Sequence, residues 1–182
     1  MANLCDYDMR IVGKKKNIQK FINALTQTGT VWMGRGAEAN VTYDDTDGND
    51  CVATVFGYCK WSIVSSLIDN AKSMRKTPEN WSFGSDDKEL TFITLDEASK
   101  IYNVDVEVYS EEPGCEFQEH YLIKKGKFIK DECVHYEEYF KGDFETKEDF
   151  EKEYDITISD EAWDDGEDYY SVGGFKNWDF SI

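Results

Sequence analysis

Four side chains in this sequence have the types that bind zinc: Cys115, His120, Cys133 and His135. Thiolate and imidazole groups would suit the metal if the four met across a hairpin. Zinc sites in small domains draw two ligands from one short motif, and no CxxC or HxxxH pair occurs here. Positions 115 and 120 differ by an odd number, so in a regular strand they would face opposite sides. The spacing therefore disfavours a metal at this cluster.

A second cluster has the oxygen ligands that calcium prefers. A calcium-binding EF-hand loop also needs a Glu at its twelfth position and a helix on either side, and neither is predicted here. Asp and Gly are common turn residues, so we interpret the cluster as a turn between two strands and expect no metal or cofactor. Its members are Asp44, Asp45, Asp47, Asn49 and Asp50.

Catalytic motifs are missing from the sequence. Neither of the two histidines stands in a nucleophile or metal motif, and no GxSxG, P-loop, HExxH or dinucleotide fingerprint occurs. Gly34-Arg35-Gly36 is too short for a phosphate-binding loop and is typical of a turn. We expect a protein that is not an enzyme, although the many carboxylates leave a small metal-dependent hydrolase open.

The acidic residues are concentrated in residues 131–182, which hold eighteen Asp and Glu against four Lys, a local net charge of -14. The preceding 130 residues carry a net charge of only -4. Disordered acidic tails have few aromatic residues, whereas this segment has twelve, so we expect it to fold. They are Tyr136, Tyr139, Phe140, Phe144, Phe150, Tyr154, Trp163, Tyr169, Tyr170, Phe175, Trp178 and Phe180.

A folded acidic segment holds its carboxylates in fixed places, where they can resemble a phosphate backbone. The alternative is a solvated acidic face that only keeps the protein soluble. Dense negative charge argues against direct binding to nucleic acid or anionic membranes and favours a basic partner, such as a nucleic-acid-binding protein. No apolar run of about 20 residues and no signal peptide is found, so we expect a cytoplasmic protein.

Hydrophobic periodicity predicts α+β elements in the order strand, helix, strand, strand, helix, strand, and then an extra hairpin. This order is that of a ferredoxin-like βαββαβ antiparallel sheet. We assign residues 1–140 to that domain, with an inserted loop at 76–93, and residues 141–182 to an acidic, aromatic-rich extension packed on it. The predicted elements are strands 4–12, 38–43, 51–58 and 104–109, helices 14–27, 61–74 and 94–102, a hairpin of 117–123 with 127–136 around Gly126, a short helix 146–154, and an irregular remainder. The first helix has an apolar stripe of Ile18, Phe21, Ile22 and Leu25, and the last two helices have N-cap residues, Thr94 with Glu97 three residues later, and Thr146.

Three stretches resemble the Api92-like (YubB-type) ferredoxin-like family of phage and plasmid proteins. The first is the opening Asn3-Leu4-Cys5-Asp6 with the strand and amphipathic helix that follow it, and the second is Phe56 with Trp61. The third runs from Leu95 through Val104–Tyr109 to the Glu112-Pro113-Gly114 turn. The chain departs from the family at Leu4 and Tyr7, where Trp and Asn are usual. The resemblance implies a fold and a mobile-element origin, without catalytic residues.

Length and composition are also similar to those of phage-encoded anti-CRISPR proteins that act on type II RNA-guided nucleases. By that analogy the chain would inhibit such a nuclease in the bacterial cytoplasm by binding its basic nucleic-acid channel. Acids would pair with the basic surface and aromatics would anchor the contact. The candidate partner-binding residues are Glu137, Glu138, Tyr139, Glu145, Glu148, Asp149, Glu151, Trp163, Asp164, Asp165, Glu167, Asp168, Tyr169 and Tyr170.

Two further interpretations stay open. The chain could be a phage or plasmid structural or assembly protein that self-associates through its sheet. The first predicted helix is basic, because Lys14, Lys15, Lys16 and Lys20 lie on or near its solvent side, and it could touch nucleic acid or be an ordinary solvated face.

Overall fold

Strands predominate in this α+β protein, whose computed structural model describes residues 4–26, 38–44, 51–60, 62–64 and 93–182. In chain order the elements are β1 (Leu4–Gly13), α1 (Lys15–Thr26), β2 (Glu38–Asp44), β3 (Cys51–Lys60), α2 (Leu95–Tyr102), β4 (Asp105–Glu112), β5 (Phe117–Lys124), β6 (Lys127–Phe140), α3 (Lys147–Tyr154), α4 (Asp160–Asp164) and β7 (Tyr169–Gly173).

All neighbouring strands are antiparallel, in the order β2-β3-β1-β4-β5-β6-β7. Among the first four strands of the chain, β1 lies between β3 and β4, and β2 lies on the outer side of β3. This arrangement confirms the predicted α+β class and is consistent with a ferredoxin-like type of fold. Strands β5 and β6 form the predicted extra hairpin, and the short β7 pairs with the last five residues of β6.

Several predictions lie wholly or mainly outside the described residues. They are the helix at 61–74, the inserted loop at 76–93, the Asp-rich turn after residue 44, and Gly34-Arg35-Gly36. These stay predictions. No helix within the described parts of the chain is both long enough and apolar enough to cross a membrane.

Both described helices of the sheet domain form as their local sequences predict. Helix α1 buries Ile18, Phe21, Ile22 and Leu25, the apolar stripe read from the spacing, and exposes its lysines. Helix α2 begins after Thr94, whose backbone N–H donates to the Glu97 carboxylate at 2.9 Å, as the capping motif requires. The two helices pack on one face of the sheet, called here the helix-side face.

The hydrophobic core lies between those helices and the sheet. Odd-numbered residues of β1, from Cys5 to Ile11, are fully or almost fully buried, while even-numbered ones face the other side. The buried carboxylate of Glu119 lies in this layer and accepts hydrogen bonds from the Ile63 backbone N–H at 2.8 Å and from Ser110 and Tyr121. This carboxylate is thereby satisfied although it is out of water.

The hairpin of β5 and β6 turns through two residues with positive φ, Lys125 (48°) and Gly126 (82°). Two such residues in succession are typical of a type I′ turn, whose twist matches that of the flanking strands. The turn packs on α2, since the Gly126 N–H donates to the Ser99 hydroxyl at 3.1 Å. The predicted hairpin around Gly126 is thus confirmed.

The prediction that the chain is irregular after residue 154 is wrong. Residues 160–164 form helix α4, and residues 169–173 form strand β7. Strand β6 is also longer than predicted, because its last residues, 136–140, pair with β7 instead of β5. A partner some thirty residues away leaves no periodic signal in so short a strand.

Residues 174–182, called here the strap, run back across the other face of the sheet. The Phe175 N–H donates to the Gln118 side-chain oxygen at 2.7 Å, and the Tyr109 hydroxyl donates to the Asp179 carbonyl at 3.1 Å. Tyr109 is stacked between His120, at a centroid distance of 3.9 Å, and Trp178, at 5.6 Å. The strap explains why β4 is buried on both faces from Val106 to Ser110.

Glu107 fastens the strap. Its buried carboxylate accepts hydrogen bonds from the backbone N–H groups of Ser181 (2.6 Å) and Ile182 (3.0 Å) and from the Ser181 hydroxyl. The Nε2 atom of His120 lies 2.7 Å from the same carboxylate. Hydrogen bonds to a charged acceptor contribute about 1.5–3 kcal/mol each, so this group is a strong anchor.

Replacing Glu107 by Gln should therefore loosen the strap, because a neutral amide accepts these hydrogen bonds less strongly and offers a donor to groups that are donors themselves. We expect hydrogen exchange of the Ser181 and Ile182 amides to accelerate by about 10-fold or more, from a loss of roughly 1.5–3 kcal/mol. Exchange mass spectrometry of peptides from residues 174–182 measures it. The control is Glu145→Gln, at an exposed acid; equal exchange in both variants would contradict the role of Glu107.

Candidate protein-interaction surface

The acidic extension folds around one aromatic side chain, Phe150. Its ring is fully buried although α3, which carries it, is charged at every other position except Tyr154. Aromatic rings bury a large area per residue, so a few of them can replace a larger aliphatic core. The rings around Phe150 at centroid distances of 5.1 to 6.5 Å are those of Tyr139, Phe144, Tyr154, Trp163 and Tyr170.

Lys141 ties α4 to the end of β6. Its side chain is buried, and Nζ donates to the Ala162 carbonyl at 2.9 Å and to the Asp165 carboxylate at 2.6 Å. A lysine at the carboxyl end of a helix satisfies carbonyl groups that lack intrahelical partners. This pair lowers the pKa of Asp165, chiefly through the hydrogen bond from Lys141.

Each of the two short helices, α3 and α4, begins with an N-cap residue. The Thr146 hydroxyl accepts from the Asp149 N–H at 3.2 Å, as predicted, and the Ser159 hydroxyl accepts from the Ala162 N–H at 3.1 Å. Acidic side chains occupy the first turn of both helices, where the helix dipole favours negative charge. The negative charges of these side chains therefore stabilise the helix N-termini.

Nearly all the carboxylates of residues 131–182 point to solvent. Sixteen of the eighteen are exposed, and the other two, Glu138 and Glu151, are half-buried. Few have a lysine partner in the part of the chain that the structure describes: Lys147 lies 2.6 Å from Asp160 and 3.8 Å from Glu151, Lys130 lies 3.8 Å from Glu132, and Lys141 pairs with Asp165. The net charge of -14 is therefore displayed by a folded surface.

The predicted partner-binding residues separate into two groups. Eight acids are exposed, namely Glu137, Glu145, Glu148, Asp149, Asp164, Asp165, Glu167 and Asp168. Of the four aromatics, Tyr139, Trp163 and Tyr170 are half-buried against Phe150, whereas Tyr169 exposes 54% of its surface. Tyr169 is therefore the aromatic in this group with the most surface to offer a partner.

Sequence reasoning missed Phe140 as part of this surface. It pairs with Tyr169 across β6 and β7, with a centroid distance of 5.1 Å, and 36% of it is exposed. Together they make an exposed aromatic patch, and the exposed Asp168 directly precedes Tyr169. Only the register of β7 on β6 places Phe140 beside Tyr169, and the sequence carries no signal for that register.

A smaller acidic cluster lies on the strap side of the sheet. Asp6 is directly opposite Glu111 across β1 and β4. Burial, and then the charge of Asp6, raises the pKa of Asp8; burial and the charges of Glu111 and Glu116 raise that of Glu138. These carboxylates repel one another when ionised.

The cysteine and histidine cluster considered for zinc is divided between environments. His120 lies under the strap, while Cys133 and His135 are on the opposite face of the sheet, as the pairing of β5 with β6 requires. Within the ranges that the structure describes, no three His, Cys, Asp or Glu side chains are arranged to hold a metal ion.

Comparisons of the chain with protein-family models, with curated protein sequences and with solved structures found no match. What this surface can bind is therefore inferred from its own geometry and charge.

We expect Lys141→Met to destabilise the extension, because it leaves the Asp165 carboxylate and the Ala162 carbonyl without their buried donor. The expected loss is about 2–3 kcal/mol of unfolding free energy, measured by urea denaturation. Lys152→Met on α3, at an exposed lysine, is the matched control and should change stability by less than about 0.5 kcal/mol. Equal effects would contradict the anchoring role of Lys141.

Stability should also depend on pH in two opposite ways. The raised pKa values of Asp8 and Glu138 stabilise the fold below their ordinary values of 3.8 and 4.5, and this stability is lost as the pH rises through the folded values. The lowered pKa values of Asp160 and Asp165 stabilise the fold above pH 3.8, and this stability is lost as the pH falls below 3.8 through the folded values. As the pH falls from neutrality, urea midpoints should therefore first rise while the pH is still above about 4.5, and then fall below about 3.8.

The double variant Asp8→Asn, Glu138→Gln is the control for this pH dependence. It should show a smaller rise as the pH falls towards 4.5 and an unchanged fall below 3.8. A full-sized rise in that variant would assign the effect to other groups.

Proposed function

We propose that this protein is a non-enzymatic inhibitor that binds the basic nucleic-acid-binding surface of another protein through its acidic extension. The observation that carries the proposal is the exposure of sixteen of eighteen carboxylates on a segment that has its own buried aromatic core. A flexible acidic tail would lose conformational entropy on binding. A folded array has already lost much of it, so more of the electrostatic attraction contributes to affinity.

Charge selects the kind of partner. With a net charge of -18 the chain repels nucleic acid and anionic membranes, and attracts proteins rich in Lys and Arg. Nucleic-acid channels are surfaces of this kind, and a protein covering one would exclude its DNA or RNA.

The exposed pair Phe140 and Tyr169 would supply the apolar part of the contact. Interfaces concentrate binding energy in a few aromatic anchors surrounded by polar residues. This patch lies at the β6–β7 edge, next to the exposed acids Glu167 and Asp168, so charge could guide encounter while the rings hold the complex. Half-buried Tyr139, Trp163 and Tyr170 would instead keep the array rigid.

A type II RNA-guided nuclease in the bacterial cytoplasm is our specific candidate for the partner. The resemblance of residues 1–140 to ferredoxin-like phage and plasmid proteins supports a counter-defence role, and the strand order β2-β3-β1-β4 is in keeping with the βαββαβ plan. Such nucleases read a short duplex with Arg side chains and hold nucleic acid in a basic channel. An acidic surface that occupied either region would block DNA binding or cleavage.

The test is DNA cleavage by several type II nucleases, with the protein added before or after target DNA. If the array competes with DNA, inhibition should appear when the protein is added first and weaken as salt rises. Inhibition in both orders would place the block at the conformational step that licenses cleavage. Absence of inhibition across the set would contradict the nuclease assignment.

Charge reversal localises the contact. Glu145, Glu148, Asp164 and Glu167 are exposed, and none of them is in an ion pair within the described residues, so changing all four to Lys should spare the fold. We expect the concentration for half inhibition to rise by about 30-fold or more, the equivalent of roughly 2 kcal/mol. Circular dichroism confirms folding of the variant.

The matched control changes to Glu the residues Lys14, Lys15, Lys16 and Lys20, which are exposed positions in the first half of α1 and just before it. If the extension makes the contact, this variant should inhibit as well as the original chain. Loss of inhibition in the α1 variant alone would assign binding to the basic helix. Full inhibition by the acid-to-Lys variant would rule out the acidic array.

Self-association through a sheet edge is the second candidate, favoured by one observation. Strand β7 ends the order of the sheet, is only five residues long, and exposes Tyr169 and Val172. An edge strand can pair with a second copy. Light scattering that finds a stable oligomer, unaffected by the acid-to-Lys changes, would favour assembly over inhibition.

A further inference from the structure

Two cysteines face each other in the core of the sheet, far from the acidic extension. Cys5 on β1 is directly opposite Cys59 on β3, and both side chains point to the helix-side face. Each is completely buried. Neither takes part in the surface described above.

Their backbone positions suit a disulfide. Residues directly opposite in an antiparallel pair have Cα atoms about 4.5 Å apart at a non-hydrogen-bonded site and about 5.5 Å apart at a hydrogen-bonded one. Disulfides span Cα separations of about 4.4–6.8 Å. Either kind of site lies within that range, so the strands need not move apart or together.

The other cysteines cannot replace either partner. Cys51 is eight residues from Cys59 along the same strand, a distance of about 26 Å. Cys133 lies on β6, three strands from β1, which is about 14 Å across the sheet. Cys115 follows β4 in a short turn and is exposed. The register therefore selects one pair among the five.

We propose that Cys5 and Cys59 are a redox modification site, which a low-molecular-weight disulfide such as oxidised glutathione converts to an intramolecular disulfide. The thiolate of one cysteine attacks oxidised glutathione, forming a mixed disulfide and releasing one glutathione thiolate. The second cysteine, deprotonated, attacks the protein sulfur of that mixed disulfide and expels the second glutathione. The two protein thiols lose two electrons and two protons, and one glutathione disulfide becomes two thiols.

Burial makes this reaction slow but directs it to one product. A thiol with no exposed surface reacts only when the strand end opens, and Cys5 is the second residue of β1, next to the half-exposed Leu4. A glutathione adduct has no space in the closed core, whereas the neighbouring thiol is already in place. The mixed disulfide is thus an intermediate, and the cross-link is the stable state.

The cross-link would fasten β1 to β3 at the end where β3 leads to Ile63. It closes a loop of about 50 residues, which restricts the unfolded chain and raises stability. The thermal midpoint should rise by roughly 5–15 °C, given the usual gain for such a loop in a chain of this size.

The experiment uses the full chain with exposed Cys115 and Cys133 changed to Ser, incubated with oxidised glutathione in about 1 M urea to permit local opening. We expect a mass loss of about 2 Da, a non-reducing peptide map that links Cys5 to Cys59, and a raised thermal midpoint that dithiothreitol reverses. Persistent glutathione adducts at either residue, a link to Cys51, or no mass change would overturn the proposal.

Cys59→Ala and Cys51→Ala, made in the same background, form a matched pair of buried β3 variants. Oxidant should raise the thermal midpoint of the Cys51 variant and leave that of the Cys59 variant unchanged. Equal responses would contradict the assignment. If the Cys59 variant does not fold, the peptide map of the background chain decides alone.

Discussion

The hydrogen bonds to the buried Glu107 carboxylate join two parts of the chain that charge alone would separate. The extension carries most of the negative charge, and the sheet on which it packs is itself acidic. A carboxylate is ordinarily a poor place to dock an acidic segment. Here it accepts backbone N–H groups, which carry partial positive charge whatever the side chains are, so the strap binds through its main chain. The stacking of Trp178 on Tyr109 then adds apolar contact without any cation.

In the extension that this anchor attaches, aromatic residues form the core and acidic residues form the surface. Strand β6 runs from the sheet domain into the extension, and the aromatic cluster around Phe150 packs on the end of this strand through Tyr139. The acids of the same segment gain nothing from burial and remain in water. Lys141 is the exception among the charged groups of the extension, because it is buried where helix carbonyls and the Asp165 carboxylate converge. The extension thus keeps its acids in water, while Lys141 and Lys147 link its elements through ion pairs.

Local features of this fold could be predicted from the sequence, and features made by distant partners could not. The apolar spacing of α1, the Thr94 and Thr146 caps, and the Gly126 turn each depend on neighbours within a few residues, and all are present. Strand β7 exists because β6 offers it a partner, and Glu107 is buried because the strap covers it. The acidic composition of the candidate surface was evident, because carboxylates without a buried partner stay in water. The sequence did not reveal which aromatic rings face inward, because that depends on the register of β6 and β7.

The route of the strap also orders the steps of folding. Its contacts join residues 57 to 75 positions apart, whereas β4 and β5 meet through a turn of a few residues. Loop-closure entropy favours the short connection first, so the site for Phe175 and Ser181 exists before the strap arrives. Docking of the strap is then a late, sequence-distant event that completes an already formed sheet. Until it occurs, the charged third of the molecule is tethered through β6 alone and samples many orientations relative to the rest.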